Sequence, residues 1–234
     1  MAFAFNLQPS AFYLLPGFDM IVSKQKPFDE ILAALQESRK IFLVGCAKCA
    51  TVCKSGGEEE LWQMQELLAS AGKEVTGSIV IDEACHMLRA GRDLRGKKEM
   101  VAESDALLVL ACGAGVQSVS AASEKQTVAG LDTMFLGNIR RLGQYEQKCS
   151  LCGECILTET AGICPMTVCP KGLLNGPCGG MQDGRCETDQ DAECAWSQIY
   201  QRMQNQGSVD NLKKIVSQKD FSKKLRPGKL KIEK

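Results

Sequence analysis

Thirteen cysteines stand in this chain of 234 residues, and eight of them fall between Cys149 and Cys194. Cys149, Cys152 and Cys155 open that stretch as C-x2-C-x2-C, the thiolate comb that wraps an iron–sulfur cube. Cys164-Pro165 and Cys169-Pro170 each offer the distant Cys-Pro that completes such a comb. Cys178, Cys186 and Cys194 bring the set to eight thiolates, enough for two four-thiolate sites. Spacing does not say which cysteine joins which site. A second comb, C-x2-C-x3-C, stands upstream at Cys46, Cys49 and Cys53. The odd total and the combs argue against a disulfide framework. Iron–sulfur ligation is the expectation, with zinc as its rival, because four thiolates also satisfy a tetrahedral structural site. A zinc ribbon commonly offers two C-x2-C knuckles, and neither comb has that form. For the C-terminal set, two clusters and one cluster beside a zinc both stay open.

These residues need elements to hold them. Phe28, Ile31, Leu32 and Leu35 recur at helical spacing to about Ser38. KIFLVGC, Lys40 to Cys46, reads as a buried strand entering a turn. An amphipathic helix is expected from Gly57 to Ala71, with Glu58, Glu59 and Glu60 suiting its N-terminal dipole. Further strands are expected around Ser78–Ile81, over Asp105–Cys112 and in VAGLDTMFL, with a helix starting at Val116. Strands alternating with helices predict an open parallel sheet flanked by helices. Cys46, Cys85 and Cys112 then fall at C-terminal strand ends, where such sheets bind ligands. Cys112 is the preferred fourth ligand beside Cys46, Cys49 and Cys53, since Gly113 and Gly115 allow close backbone approach and N–H donation to sulfur. Cys85 is the alternative ligand, or a small buried residue.

After Gly143 the chain turns to Cys, Gly, Pro and short polar links. Apolar periodicity returns only at Trp196, Ile199, Tyr200 and Met203, a closing helix that stops near Gly207. The fold class is therefore α/β, with a cysteine-rich, cluster-organised irregular C-terminal domain ending in helices. The divisions expected are an extension and lead-in helix over 1–37, an α/β domain over 38–143, a cluster domain over 144–207 and a basic tail over 208–234. That tail reads as a solvated or partner-docking extension: residues 210–234 carry nine Lys/Arg against three acids.

Several classes are excluded. Formal net charge is zero, so no bulk field invites nucleic acid or a membrane surface. No apolar run approaches the ~20 residues of a membrane span. The N-terminus lacks a charged start and a small-residue cleavage pattern, so a signal peptide is not expected and a cytoplasmic location is. No G-x-G-x-x-G follows the first strand, and there is no P-loop and no G-x-S-x-G. Gly56-Gly57 before three glutamates is a poor phosphate cradle. His86, the sole histidine, is read as a solvated side chain. No acid/base pair suggests catalysis by this chain alone.

KGLLNGPCGG (171–180), preceded by CSLCGEC and GICPMTVCPKG and followed by GRCE and DAECAW, resembles the C-terminal domain of methylenetetrahydrofolate reductases. VGCAKCATVCKSGGE (44–58) and LACGAGVQ (110–117) resemble its companion half in MetV-type small subunits of the bacterial two-subunit enzymes. The resemblance covers about Met20 to Phe221 and leaves residues 1–19 outside. It implies cluster ligation by Cys46, Cys49, Cys53 and Cys112 and by the Cys149–Cys194 set; the thiol count by itself leads to an expectation of two or three [4Fe-4S] clusters, or a zinc in place of a C-terminal one. It implies a subunit without catalysis of its own, paired with a flavin-bearing MetF-type subunit in one-carbon (Wood–Ljungdahl) metabolism. Electrons are then expected from an external low-potential donor, a ferredoxin or a larger redox complex. A rival of another class is a zinc-stabilised scaffold that docks the catalytic subunit onto an electron-donating complex.

Overall fold

The computed structural model describes residues 21–141, 143–224 and 226–231. It divides the chain into two compact units, Met1–Met134 and Phe135–Lys234. Residues 1–19, the expected extension, lie outside the described residues.

The first unit is built on a four-stranded sheet in the order β3-β2-β4-β5, parallel throughout. β2 (Lys40–Cys46) and β4 (Ala106–Leu110) are its centre, and nearly every residue in them is buried. A strand covered on both faces needs an unbroken apolar run, which is what KIFLVGC and ALLVL supply. β3 (Glu74–Ile81) is a half-exposed edge and β5 (Gln126–Ala129) the other edge. Asp105 pins the start of the sheet, its carboxylate accepting the Arg39 and Lys40 N–H groups at 2.8 and 2.7 Å. Those two bonds hold its pKa below the ordinary carboxylate value.

Helices cover the sheet. α1 (Phe28–Ala34) buries Ile31, and the Lys73 ammonium closes the chain beyond it on the Leu35 and Ser38 carbonyls at 2.7 and 2.8 Å. α2 (Cys49–Val52) is a single turn. α3 (Glu58–Ser70) buries Leu61, Met64 and Leu68 against the sheet. Glu60 is drawn inward rather than left at the helix surface, because its carboxylate accepts the Gly57 N–H at 2.8 Å. α4 (Met87–Arg95), α5 (Lys98–Glu103) and α6 (Gly113–Ser123) follow, with α4 packed on α6.

Two sequence expectations are corrected here. VAGLDTMFL is not one strand: the chain breaks at Gly130, whose N–H donates to Val109 O at 2.9 Å, and continues as β6 (Leu131–Arg141). The helix expected at Val116 begins at Gly113, with Cys112 as its N-cap. β1 (Ile21–Gln25), a polar strand, neighbours β6.

In the second unit β6 pairs antiparallel with β7 (Gln144–Cys149), ending on the Leu136–Cys149 pair. α7 (Pro165–Val168) is one turn, and α8 (Ala195–Gln206) is the only long helix described there. Its buried face, Trp196, Ile199 and Met203, meets Ile163 and Cys194 in a core of few residues. Tyr200, expected on that face, is 44 % exposed. Among the described residues no helix is long and apolar enough to cross a membrane.

Candidate metal centres

The second unit sorts its eight cysteines into two fours. Cys149, Cys152, Cys155 and Cys164 line one cavity of about 330 Å³, together with Leu151, Ile156, Leu157, Met166 and Lys219. Cys169, Cys178, Cys186 and Cys194 line another of about 20 Å³, with Pro177, Met181 and Trp196. The turn of α7 carries the chain from Cys164, its N-cap, to Cys169, its C-cap. Neighbouring Cys-Pro dipeptides thereby serve different cavities.

The larger cavity is wrapped by the loop after β7. Leu151 and Gly153 both take positive φ, 53° and 78°, and the Leu151 N–H reaches Cys149 Sγ at 3.4 Å. The Glu154 backbone, with help from the Lys219 charge and Ser150, holds the Cys152 thiol below its ordinary pKa. Three lysines of the C-terminal segment close on this loop. Lys219, buried, bonds Glu154 O; Lys223 Nζ meets Glu154 Oε1 at 2.9 Å; Lys224 Nζ meets Ser150 O at 2.8 Å. Farther back, Asn175 holds the same segment by two bonds with the Val216 backbone, at 2.8 and 2.9 Å. Most described residues of the basic tail are exposed, and Lys219, Lys223 and Lys224 anchor it to the cysteine loop.

The smaller cavity is framed by short backbone bonds. Cys186 N–H donates to Ala192 O at 3.0 Å and Cys194 N–H to Gly184 O at 2.7 Å. Cys178 Sγ donates to Glu187 Oε2 at 3.2 Å, and Lys171 pairs with the same carboxylate. Gly180 makes room for that carboxylate, since a Cβ there would stand 2.1 Å from the Glu187 carboxyl carbon. Trp196 Nε1 donates to Leu173 O at 2.9 Å, tying the LLNGPCGG run to α8. Hydrogen bonds from Thr188 lower the Cys186 pKa.

In the first unit the sheet edge brings only part of the expected set together. Cys46 ends β2, Cys112 caps α6 and Cys85 lies in the turn before α4. Partial burial raises the Cys85 pKa, and the Cys112 and Cys46 thiols raise it further, so these three are electrostatic neighbours. Cys49 and Cys53, on the α2 turn, meet the Ile21 backbone: Ile21 N–H reaches Cys49 Sγ at 3.4 Å and Cys53 Sγ reaches Ile21 O at 3.7 Å. Gly113 N–H donates to Thr133 Oγ1 at 2.8 Å, and Gly115 lets α6 pack on Ala84, where a Cβ would fall 3.1 Å from Ala84 Cβ.

Among the described residues no group of three or more His, Cys, Asp or Glu side chains is drawn close enough to hold a metal ion. The thiols of each set share a cavity wall without meeting at a point. Sulfur nonetheless predominates among the donors: four cysteines line each cavity, with Glu187 beside one set and Glu154 beside the other, and no histidine at either. Such a set suits iron–sulfur or zinc and suits hard cations poorly. The sequence shows Glu187 among the acids near the last cysteines and the tail lysines as a basic run, but it assigns neither them nor Lys171 to a cysteine set. Lys171 and Glu187 are detectable as charges adjoining ligand cysteines; Lys219, 55 residues beyond Cys164, carries no such signal.

Residues 128–222 match the family model described as "Methylene-tetrahydrofolate reductase C terminal", a match that includes all eight cysteines of the second unit. The matched stretch is less than half of the chain, and it relates this part of the molecule to methylenetetrahydrofolate reductases. No curated protein and no solved structure matches the chain.

Proposed function

We propose that this chain is an iron–sulfur electron-transfer subunit serving methylenetetrahydrofolate reduction, carrying electrons from a low-potential donor to the flavin of a separate MetF-type catalytic subunit. The observation that carries the reading is the convergence of Cys149, Cys152, Cys155 and Cys164 on one cavity within the stretch matched by the reductase family model. An iron–sulfur cluster held there supplies one-electron transfer at low potential. The chain's own residues set its surroundings. Leu151, Ile156, Leu157 and Met166 make part of the wall apolar, with Ile156 buried, while Lys219 brings a positive charge to it. Cys149 and Cys155 are exposed, giving an external redox partner a short approach. The Cys46, Cys49 and Cys53 comb, with Cys112 or Cys85, is the proposed second cluster site.

The stoichiometry of the overall reaction follows. Two electrons leave the donor singly, and with two protons they reduce the partner's flavin. A flavin so reduced would supply the hydride and the proton that convert methylenetetrahydrofolate to methyltetrahydrofolate, and would be left oxidised. The test is to mix this chain with a flavin-bearing partner subunit, under anaerobic conditions, and add a reduced ferredoxin-type donor. The flavin absorbance is expected to bleach, and Cys152→Ser to slow bleaching at least tenfold. Bleaching at the same rate without the chain, or with iron-free chain, overturns the relay.

A further inference from the structure

Two lysines line the cavity of Cys149, Cys152, Cys155 and Cys164, and they are held differently. Lys148 is half-exposed and paired, its ammonium 2.8 Å from Glu146 Oε2. Lys219 is 5 % exposed, and among the described residues its ammonium forms no ion pair; it donates to the Glu154 carbonyl. The Glu154 carboxylate is already engaged, by Lys223 Nζ at 2.9 Å and by the Asp220 N–H at 3.2 Å. Burying an ammonium is costly unless a counter-charge compensates it, and a carbonyl oxygen carries only a partial charge.

The fold puts Lys219 in this position from both sides. Upstream, Asn175 fastens the Val216 backbone by bonds of 2.8 and 2.9 Å. Downstream, Lys223 and Lys224 fasten the chain to Glu154 and Ser150. The lysine between them is thereby held at the cavity wall with its ammonium out of water. A cluster ligated by four thiolates is an anion, and reduction adds one more negative charge. Net charge and hydrogen bonding around such a group set its potential. A buried cation acts on it through a low local dielectric, whereas exposed lysines act through water.

We propose that Lys219 sets the reduction potential of the centre held by Cys149, Cys152, Cys155 and Cys164, its buried positive charge stabilising the reduced state and raising the potential at which an electron is accepted. The proposal rests on the relay reading above and makes Lys219 a positioning residue of that relay. The step it favours is one electron in, with the external donor oxidised by one electron and no proton taken up.

The experiment is a potentiometric titration of the anaerobically purified full chain, followed by electron paramagnetic resonance, with electrons supplied from an electrode through low-potential mediators. The second unit's signal is the one that Cys152→Ala removes. Lys219→Met is expected to lower its midpoint, so that at a fixed potential the ratio of reduced to oxidised centre falls at least tenfold, about 59 mV for one electron. The first unit's signal is expected to keep its midpoint, and Lys219→Arg to stay within threefold of wild type. Lys223→Gln is expected to shift the ratio less, and its shift to shrink with added salt while that of Lys219→Met persists. Should Lys219→Met fail to hold the centre, Lys219→Gln is read in its place. Loss of the centre in both assigns Lys219 to bracing the loop and overturns the proposal. So does an unmoved or raised midpoint, or a shift in Lys219→Arg as large as that in Lys219→Met. A wild-type chain without any cluster takes down the relay as well, whereas an unmoved midpoint takes down this proposal alone.

Discussion

The two units of this protein solve the problem of holding a loop still by different means. In the first, β2 and β4 lie buried under helices, and Phe42, Leu43, Leu107 and Leu108 are wholly enclosed. The loops that carry Cys46, Cys85 and Cys112 leave the ends of strands already fixed by that core. The second unit buries Ile163, Cys194, Trp196, Ile199 and Met203 and little else that is apolar. Ordering each residue costs about 1–2 kcal/mol of chain entropy, and so small a core does not offset that over the Cys149–Cys194 stretch. On the proposed function, cross-linking through metal-bound sulfur is what would supply the difference. In the first unit the fold positions the thiols; in the second, on that proposal, metal-bound thiols would hold the fold.

The sharpest way to break this contrast is to remove metal. Trp62, in α3, is 63 % exposed, while Trp196 is 6 % exposed, so in a Trp62→Phe background the fluorescence reports the second unit alone. Stripping metal from that variant is expected to shift Trp196 emission to that of solvated indole while the far-ultraviolet signal of the parallel sheet persists. A metal that organises a small fold contributes on the order of 10 kcal/mol or more, as in zinc fingers, so this is the largest effect expected. An unchanged Trp196 spectrum removes the contrast.

The converse perturbation is Leu108→Ala at the centre of the sheet. It is expected to cost about 2–5 kcal/mol in urea unfolding of the first unit and to leave the metal content of the second unit unchanged. Loss of metal from the second unit in that variant contradicts independent units. A smaller effect is expected from Trp196→Phe, which deletes the bond to Leu173 O and costs about 1 kcal/mol, read as faster metal loss to a chelator. The smallest concerns Asp105. Its pKa is depressed in the fold, so the stability it contributes is fully present above its ordinary value of 3.8 and is lost as pH falls through the depressed one. Asp105→Asn is expected to lower the first unit's urea midpoint slightly at pH 7, with the gap to wild type closing below pH 3.8. A gap that stays constant with pH assigns the effect to shape rather than charge.

How far the sequence was legible follows the same division. β2 agrees with its expected bounds because burial on both faces leaves an unbroken apolar run with abrupt ends. β1 and β7 escaped notice because IVSKQ and QYEQKC are largely polar and their identity as strands comes from pairing, which has no local signature. α4 escaped because it buries only Ala90 and Leu94 and leaves Met87 and Leu88 exposed. At the metal centres, spacing identified Cys149, Cys152 and Cys155 as one comb. It could not separate Cys164-Pro165 from Cys169-Pro170, because the choice depends on which way the α7 turn faces. Nor could it place Lys219 at the comb, since a lysine that bonds a distant carbonyl looks, in sequence, like any solvated one.

The central claim, that these thiols carry iron–sulfur chemistry, is tested most directly by a redox titration of the whole chain, purified without oxygen and followed by electron paramagnetic resonance. The account predicts brown protein with iron and sulfide in near-equal amounts, and a cluster signal that appears only at low potential. Cys152→Ala is predicted to remove the second unit's share of that signal and leave the first unit's share in place. A colourless chain that binds zinc alone, or one that gives no signal at any potential, contradicts it.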